Sequence, residues 1–213
     1  MLALYFTYYI INLVAAMICF SAWKKEKVVF KFQWIYLSLN LLSELSAHFL
    51  KNLKIDFLFI YNIFIPIEFV FYISLLRSEL KSKMIRKIAM QSNWFFCIIG
   101  AINLFFLQEY FEYNYLYMLR CVIFIVFIAY YFYELYDSDE VFSITQIPTF
   151  WISIGFFVFC VSTFLIMGFN SMMSKIDFEL TNSVYQSIIV SLNILLYGTF
   201  IVASLCTQKK YSL

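Results

Sequence analysis

An all-α bundle of membrane-spanning helices is the fold class this sequence predicts, and three observations carry it. Of the 213 residues, 64% are hydrophobic and 13% charged, against about 25% charged in a typical soluble domain, so there is too little charge to cover a water-soluble surface. Apolar runs follow one another from Leu2 to Cys206, each near the roughly 20 residues that a helix needs to cross a bilayer. Glycine (4) and proline (2) are too few for linkers or low-complexity tracts.

The runs lie near residues 3–22, 31–50, 57–76, 88–107, 114–134, 148–168 and 183–205. They predict seven spans in a single transmembrane domain covering residues 1–213. The first run is followed, not preceded, by the basic cluster Lys24, Lys25 and Lys27, which predicts a retained span and not a cleaved signal peptide. The second carries Asn40, Glu44 and His48 at spacing four, with Ser43 and Ala47 alongside. The third holds Tyr61, Asn62, Pro66 and Glu68. The fourth opens with Gln91, Ser92 and Asn93 and is the weakest, so a count of six would lay this run along the interface. The fifth has Tyr113, Tyr115 and Tyr117 at one end and Tyr130, Tyr131, Tyr133 and Tyr136 at the other, the placement of interfacial aromatic belts. The sixth opens at Pro148. The seventh carries Ser183, Ser187 and Ser191, then Thr199 and Ala203 with Asn193 beside them, a spacing of small residues that predicts a helix-packing face. Short connectors at 24–27, 51–56, 77–87, 108–112, 136–146 and 170–182 make consecutive helices antiparallel neighbours.

Orientation follows from the basic residues. Lys24, Lys25, Lys27, Lys31, Arg77, Lys81, Lys83, Arg86, Lys87, Lys209 and Lys210 fall on one side, and Lys51, Lys54 and Lys175 on the other. The N-terminus is therefore expected outside and the C-terminus inside, as in a multi-pass protein of the cell membrane. Arg120 lies within the fifth span, about 9 Å deep at about 1.5 Å per residue.

Ionisable groups in a bilayer core are costly, and each is a candidate functional residue. The set here is Glu44, His48, Glu68 and Arg120, with Glu134 near the inner edge. Pro66 removes a backbone donor and frees the carbonyl of Asn62 one turn earlier. Apart from Glu134, these groups, with Asn40, Tyr61, Asn62, Asn103 and Gln186, concentrate in the outer half of the bundle. Two readings stand: a buried hydrogen-bond and ion-pair network that fixes packing, or an outward-facing polar pocket. Arg120 is expected to pair with Glu68, favoured by the proline-opened backbone, or with Glu44, favoured by depth.

Several classes are excluded. One histidine cannot supply a His-rich zinc site, and Cys19, Cys97, Cys121, Cys160 and Cys206 form no CxxC or Cys/His cluster, so no metal is expected. Asp56, Asp137, Asp139 and Asp177 lie in or beside loops, unlike paired intramembrane catalytic aspartates. No nucleophile, phosphate-loop or nucleotide motif is present. No catalytic residue, cofactor or nucleic-acid partner is expected. The basic segment 77–87 and the acidic segment 137–140 are the places to meet anionic lipid or a cytoplasmic protein partner.

The stretch Pro148-Thr-Phe-Trp-Ile-Ser-Ile-Gly155, with Tyr61-Asn62 and Glu68-Phe69, resembles small seven-helix bacterial membrane proteins and is similar to the membrane portions of some sensor kinases. The resemblance implies a sensory or regulatory role in a bacterial inner membrane. The rival expectation is a conducting, transporting or membrane-perturbing effector of a toxic or defensive system, for which polar residues would have to continue through the inner half.

Overall fold

The computed structural model describes residues 2–23, 28–55, 58–107, 113–137, 144–173 and 178–208. Among them seven long α-helices follow in order: α1 (Leu2–Trp23), α2 (Val28–Asn52), α3 (Leu58–Glu79), α4 (Lys83–Ile102), α5 (Tyr113–Tyr136), α6 (Pro148–Met173) and α7 (Phe178–Gln208). Asn103–Leu107 continue α4 as a π-helical turn, and Ile144–Gln146 form a single 3-10 turn. Lys24, Lys25, Lys27, Lys175, Lys209 and Lys210, and the acidic segment beyond Asp137, for which the sequence sets expectations, lie outside the described residues.

Six of the seven helices are long and apolar enough to cross a membrane; α2 is not among them. Its 25 residues are interrupted by Lys31, Gln33, Asn40, Glu44, His48 and Lys51. The doubt raised by sequence over the fourth run therefore falls elsewhere, since α4 qualifies from Lys83 to Phe106. Several helices outrun their apolar stretches, with α4 starting at Lys83, α6 ending at Met173 and α7 starting at Phe178. Helical hydrogen bonding needs no apolar side chain, and Lys, Arg, Met and Gln are good helix formers. Beyond its end α2 closes with Lys54 at φ 58°, its N–H bonded to Lys51 O and that of Ile55 to Leu50 O. This is the paired closure usually built on glycine.

The helices group into two compact units, one of Met1–Trp34 and Glu140–Leu213 and the other of Ile35–Asp139. In the first, α1 and α7 run parallel. Tyr5 bonds Gln186 at 2.5 Å, Tyr8 meets Tyr197 at 3.4 Å and Cys19 meets Ser204 at 3.3 Å, so the numbering rises together on both helices. A Cβ at Gly155 of α6 would overlap Thr199 and press on Leu196, and the Phe156 and Phe200 rings stand 5.7 Å apart beside that contact. Trp23 and Trp34 stack at 5.6 Å across the α1–α2 junction. Lipid is as apolar as these side chains, so such close approach holds helices together by dispersion more than by water exclusion.

The fully buried face of α7 is Val190, Leu196, Tyr197, Phe200, Ala203 and Ser204; Ser183 and Ser187 are half-buried, and the expectation of a packing position is corrected for Ser191 alone. Ser191 is exposed, and the hydroxyls of Ser187 and Ser191 donate to the carbonyls of Ser183 and Ser187 on their own helix. A spacing of four advances about 40° around the helix at each step, so the stripe has rotated outward by Ser191, while Thr199 is half-buried and Ala203 buried.

In the second unit α3 is the common neighbour. Against α4 it forms an antiparallel ladder: Asn62 with Asn103, Pro66 against Gly100, Phe69 stacked on Phe96 at 4.0 Å and Ser74 with Asn93. A side chain on Gly100 would run into the Pro66 ring, so glycine there lets α4 close on the proline. Against α5 it runs parallel, with Glu68 beside Arg120 and Tyr72 beside Phe124 at 4.7 Å. Against α2 it runs antiparallel, Tyr36 meeting Glu68 and Glu44 meeting Tyr61.

Candidate functional site

At the centre of the second unit, Arg120 of α5 forms an ion pair with Glu68 of α3. Arg120 is 2% exposed and Glu68 5%, so neither charge can be left to solvent. The other carboxylate oxygen of Glu68 accepts a hydrogen bond from the Tyr36 hydroxyl of α2 at 2.8 Å. The guanidinium carbon lies 3.9 Å from the Tyr117 ring centre and 5.7 Å from that of Phe124, rings one turn either way on α5. These faces give the buried cation a favourable quadrupole contact. Among the described residues the Arg120 Nε has no hydrogen-bond partner.

The partner is thus Glu68 and not Glu44. Depth favours Glu44 only if the spans begin at one level. The side-by-side placement of Glu68 with Arg120 and Tyr72 with Phe124 shows α3 and α5 offset lengthwise instead. Glu44 is half-buried and accepts from Tyr61 at 3.3 Å.

Asn62 and Asn103 are buried and joined by an Nδ2 to Oδ1 contact of 3.4 Å. Their place follows from the backbone: Asn62 is one turn before Pro66, and Asn103 opens the π-helical turn. Asn40 is buried, with the Ser43 hydroxyl donating to its carbonyl at 2.8 Å. The buried line of α2 runs through Tyr36, Leu37, Asn40, Ser43 and Ala47, and the drift of the spacing-four stripe leaves His48 exposed. His48 is therefore not part of this cluster. Gln186 belongs to the other unit, where it accepts from Tyr5. Tyr36 was missed by sequence reasoning, although it continues the Asn40 and Glu44 spacing one step back.

Toward the C-terminal end of α3 the polar cluster stops at an aromatic layer. Phe69, Phe96 and Phe124 are each wholly buried, with Phe69 stacked on Phe96 at 4.0 Å and on Phe124 at 5.3 Å. Beyond it Asn93 donates to Ser74 at 3.2 Å. At the end of the unit the Glu134 carboxylate accepts from the backbone N–H groups of Lys81 at 2.6 Å and Ser82 at 3.0 Å. Ser82 caps α4, its hydroxyl accepting from Ile85 N. Glu134 thereby satisfies amides left open before a helix start and places negative charge at the positive end of the helix dipole. Sequence picked out Glu134 as an ionisable group but carried no sign of this contact, which joins residues 52 and 53 apart.

Six helices long and apolar enough to cross a membrane, with a charged pair enclosed by three helices, give the chain the architecture of a multi-pass helical membrane protein. No protein family matches the chain, and neither a curated protein nor a solved structure is similar to it.

Proposed function

We propose that the chain is a non-enzymatic seven-span protein of a bacterial inner membrane, N-terminus outside, acting as a sensory or regulatory component with an outward-facing polar pocket and a separate cytoplasmic partner. Seven crossings are supported by helix direction. With α2 as a crossing, six reversals separate α1 from α7 and make them parallel, as the contacts Tyr5 to Gln186 and Cys19 to Ser204 require. Were α2 to lie flat, five reversals would make them antiparallel. The antiparallel contacts of α2 with α3 support the same reading.

The observation that favours a blind pocket over a conduction path is the Phe69, Phe96 and Phe124 layer. A path for ions needs polar groups or water at every level, and these stacked rings separate the cluster around Glu68 and Arg120 from Ser74 and Asn93. In this reading the pair is the element a ligand or a change of conditions acts on, and the segments 77–87 and 137–140 face the partner.

Two measurements test it. Reporter fusions should place Lys81 inside and Lys175 outside; the same side for both refutes the seven-span topology. In a cysteine-free background, a cysteine at Tyr61 should react with an impermeant reagent added outside, and one at Ser74 should not. Reaction at both positions, together with ion flux in proteoliposomes, would establish the conducting reading instead.

A further inference from the structure

The turn between α3 and α4 gathers five basic side chains within eleven residues, Arg77, Lys81, Lys83, Arg86 and Lys87, all exposed. Glu79 is the one acidic residue among them. Lys83, Arg86 and Lys87 stand at i, i+3 and i+4 and share one face of the first turn of α4. The shape of the segment is not that of a loose charged loop. Leu80 is fully buried, its N–H closes α3 on Leu76 O, and Glu134 holds the next two amides. Arg86 Nε donates to Leu80 O, drawing the guanidinium back over the turn. Met84 and Ile88 on the same stretch of helix are exposed, as suits a segment lying against acyl chains below a headgroup layer.

We propose that this turn is a built site for the phosphate of an anionic membrane lipid, with Arg86, Lys83 and Lys87 as its ligands and Glu134 as the positioning residue that keeps the turn in shape. The site is the cationic side-chain face, since the backbone amides there are already taken by Glu134. Its placement at the cytoplasmic surface rests on the orientation proposed above; the binding itself does not.

The sign of one substitution separates a built site from diffuse attraction. Glu134→Gln removes a negative charge, so pure electrostatics predicts tighter binding of an anion. A built site predicts weaker binding, because the neutral amide is a poorer acceptor and loosens the turn.

The experiment titrates the full chain in neutral detergent micelles with fluorescent phosphatidylglycerol, with phosphatidylcholine as control and glycerol 3-phosphate as competitor. Selective binding of phosphatidylglycerol is expected, weakened roughly tenfold or more in Arg86→Gln/Lys87→Gln and weakened also in Glu134→Gln. Unchanged or tighter binding in Glu134→Gln overturns the built site, and an unaffected double variant overturns the assignment of ligands. Full displacement by glycerol 3-phosphate at equal concentration assigns the turn to a soluble phosphate ester and overturns the lipid. Should Glu134→Gln not purify as a folded chain, the double variant is compared with Arg77→Gln/Lys81→Gln, which removes the same charge from exposed residues outside the ligand set: a smaller loss in the latter is expected, and equal weakening in both overturns the built site. Micelles have no sidedness, so failure here leaves the topology untouched.

Discussion

The two units meet the same problem, polar groups buried among apolar helices, with opposite chemistry. The first uses neutral contacts: Tyr5 with Gln186, Tyr8 with Tyr197, and Cys19 with Ser204. Many of its hydroxyls turn back to carbonyls of their own helix, as Thr163 does to Phe159 and Ser204 to Phe200. The second joins three helices through a charged pair and a tyrosine, and holds its α3–α4 turn with another carboxylate. A neutral interhelical hydrogen bond contributes little in a membrane because the separated helices find other partners. A buried charge has no such alternative. The first unit is thus held by shape and tolerates loss of any one polar contact, whereas the second is conditional on a single pair.

The largest expected effect breaks that condition. Arg120→Leu leaves the Glu68 carboxylate buried without its cation, and removing one partner of such a pair typically costs about 3–5 kcal/mol. Unfolding in mixed micelles should show a loss of that order. Glu68→Gln added to it should restore part of the stability, while Glu44→Gln should restore none. Equal rescue by both would mean that the pair is not specific.

An intermediate effect belongs to the first unit. Gly155→Ala forces a methyl group into Thr199 and Leu196, and overpacking of this kind costs about 1–3 kcal/mol. Gly168→Ala on the same helix meets nothing within 4 Å among the described residues and should be neutral or gain up to about 1 kcal/mol from helix propensity. Equal losses at both positions would show that α6 is not held by close approach at Gly155.

The smallest effect sharpens the contrast. Tyr8→Phe removes one hydroxyl from the Tyr8–Tyr197 contact and should cost near 0.6 kcal/mol, the average for hydrogen bonds between membrane helices. A loss comparable to that of Arg120→Leu would erase the distinction between the units.

The helices and their order were legible in the sequence because apolar length and punctuation are local properties, but the polar interruptions that keep α2 out of the six membrane-length apolar helices were not weighed there. So was the short list containing Glu68 and Arg120, since a charge inside an apolar run is visible without any fold. Which carboxylate meets the arginine was decided only by the tertiary structure, because pairing depends on the lengthwise offset of α3 and α5 that no single helix encodes. The same holds for His48 and Ser191. A spacing of four keeps residues near one face for a turn or two and then rotates them away, so their fate depends on where the neighbouring helix lies. The aromatic layer of Phe69, Phe96 and Phe124 was invisible for another reason. Among 27 phenylalanines nothing marks three as stacked until α3, α4 and α5 are brought together, with Gly100 admitting Pro66 and setting the register between the first two.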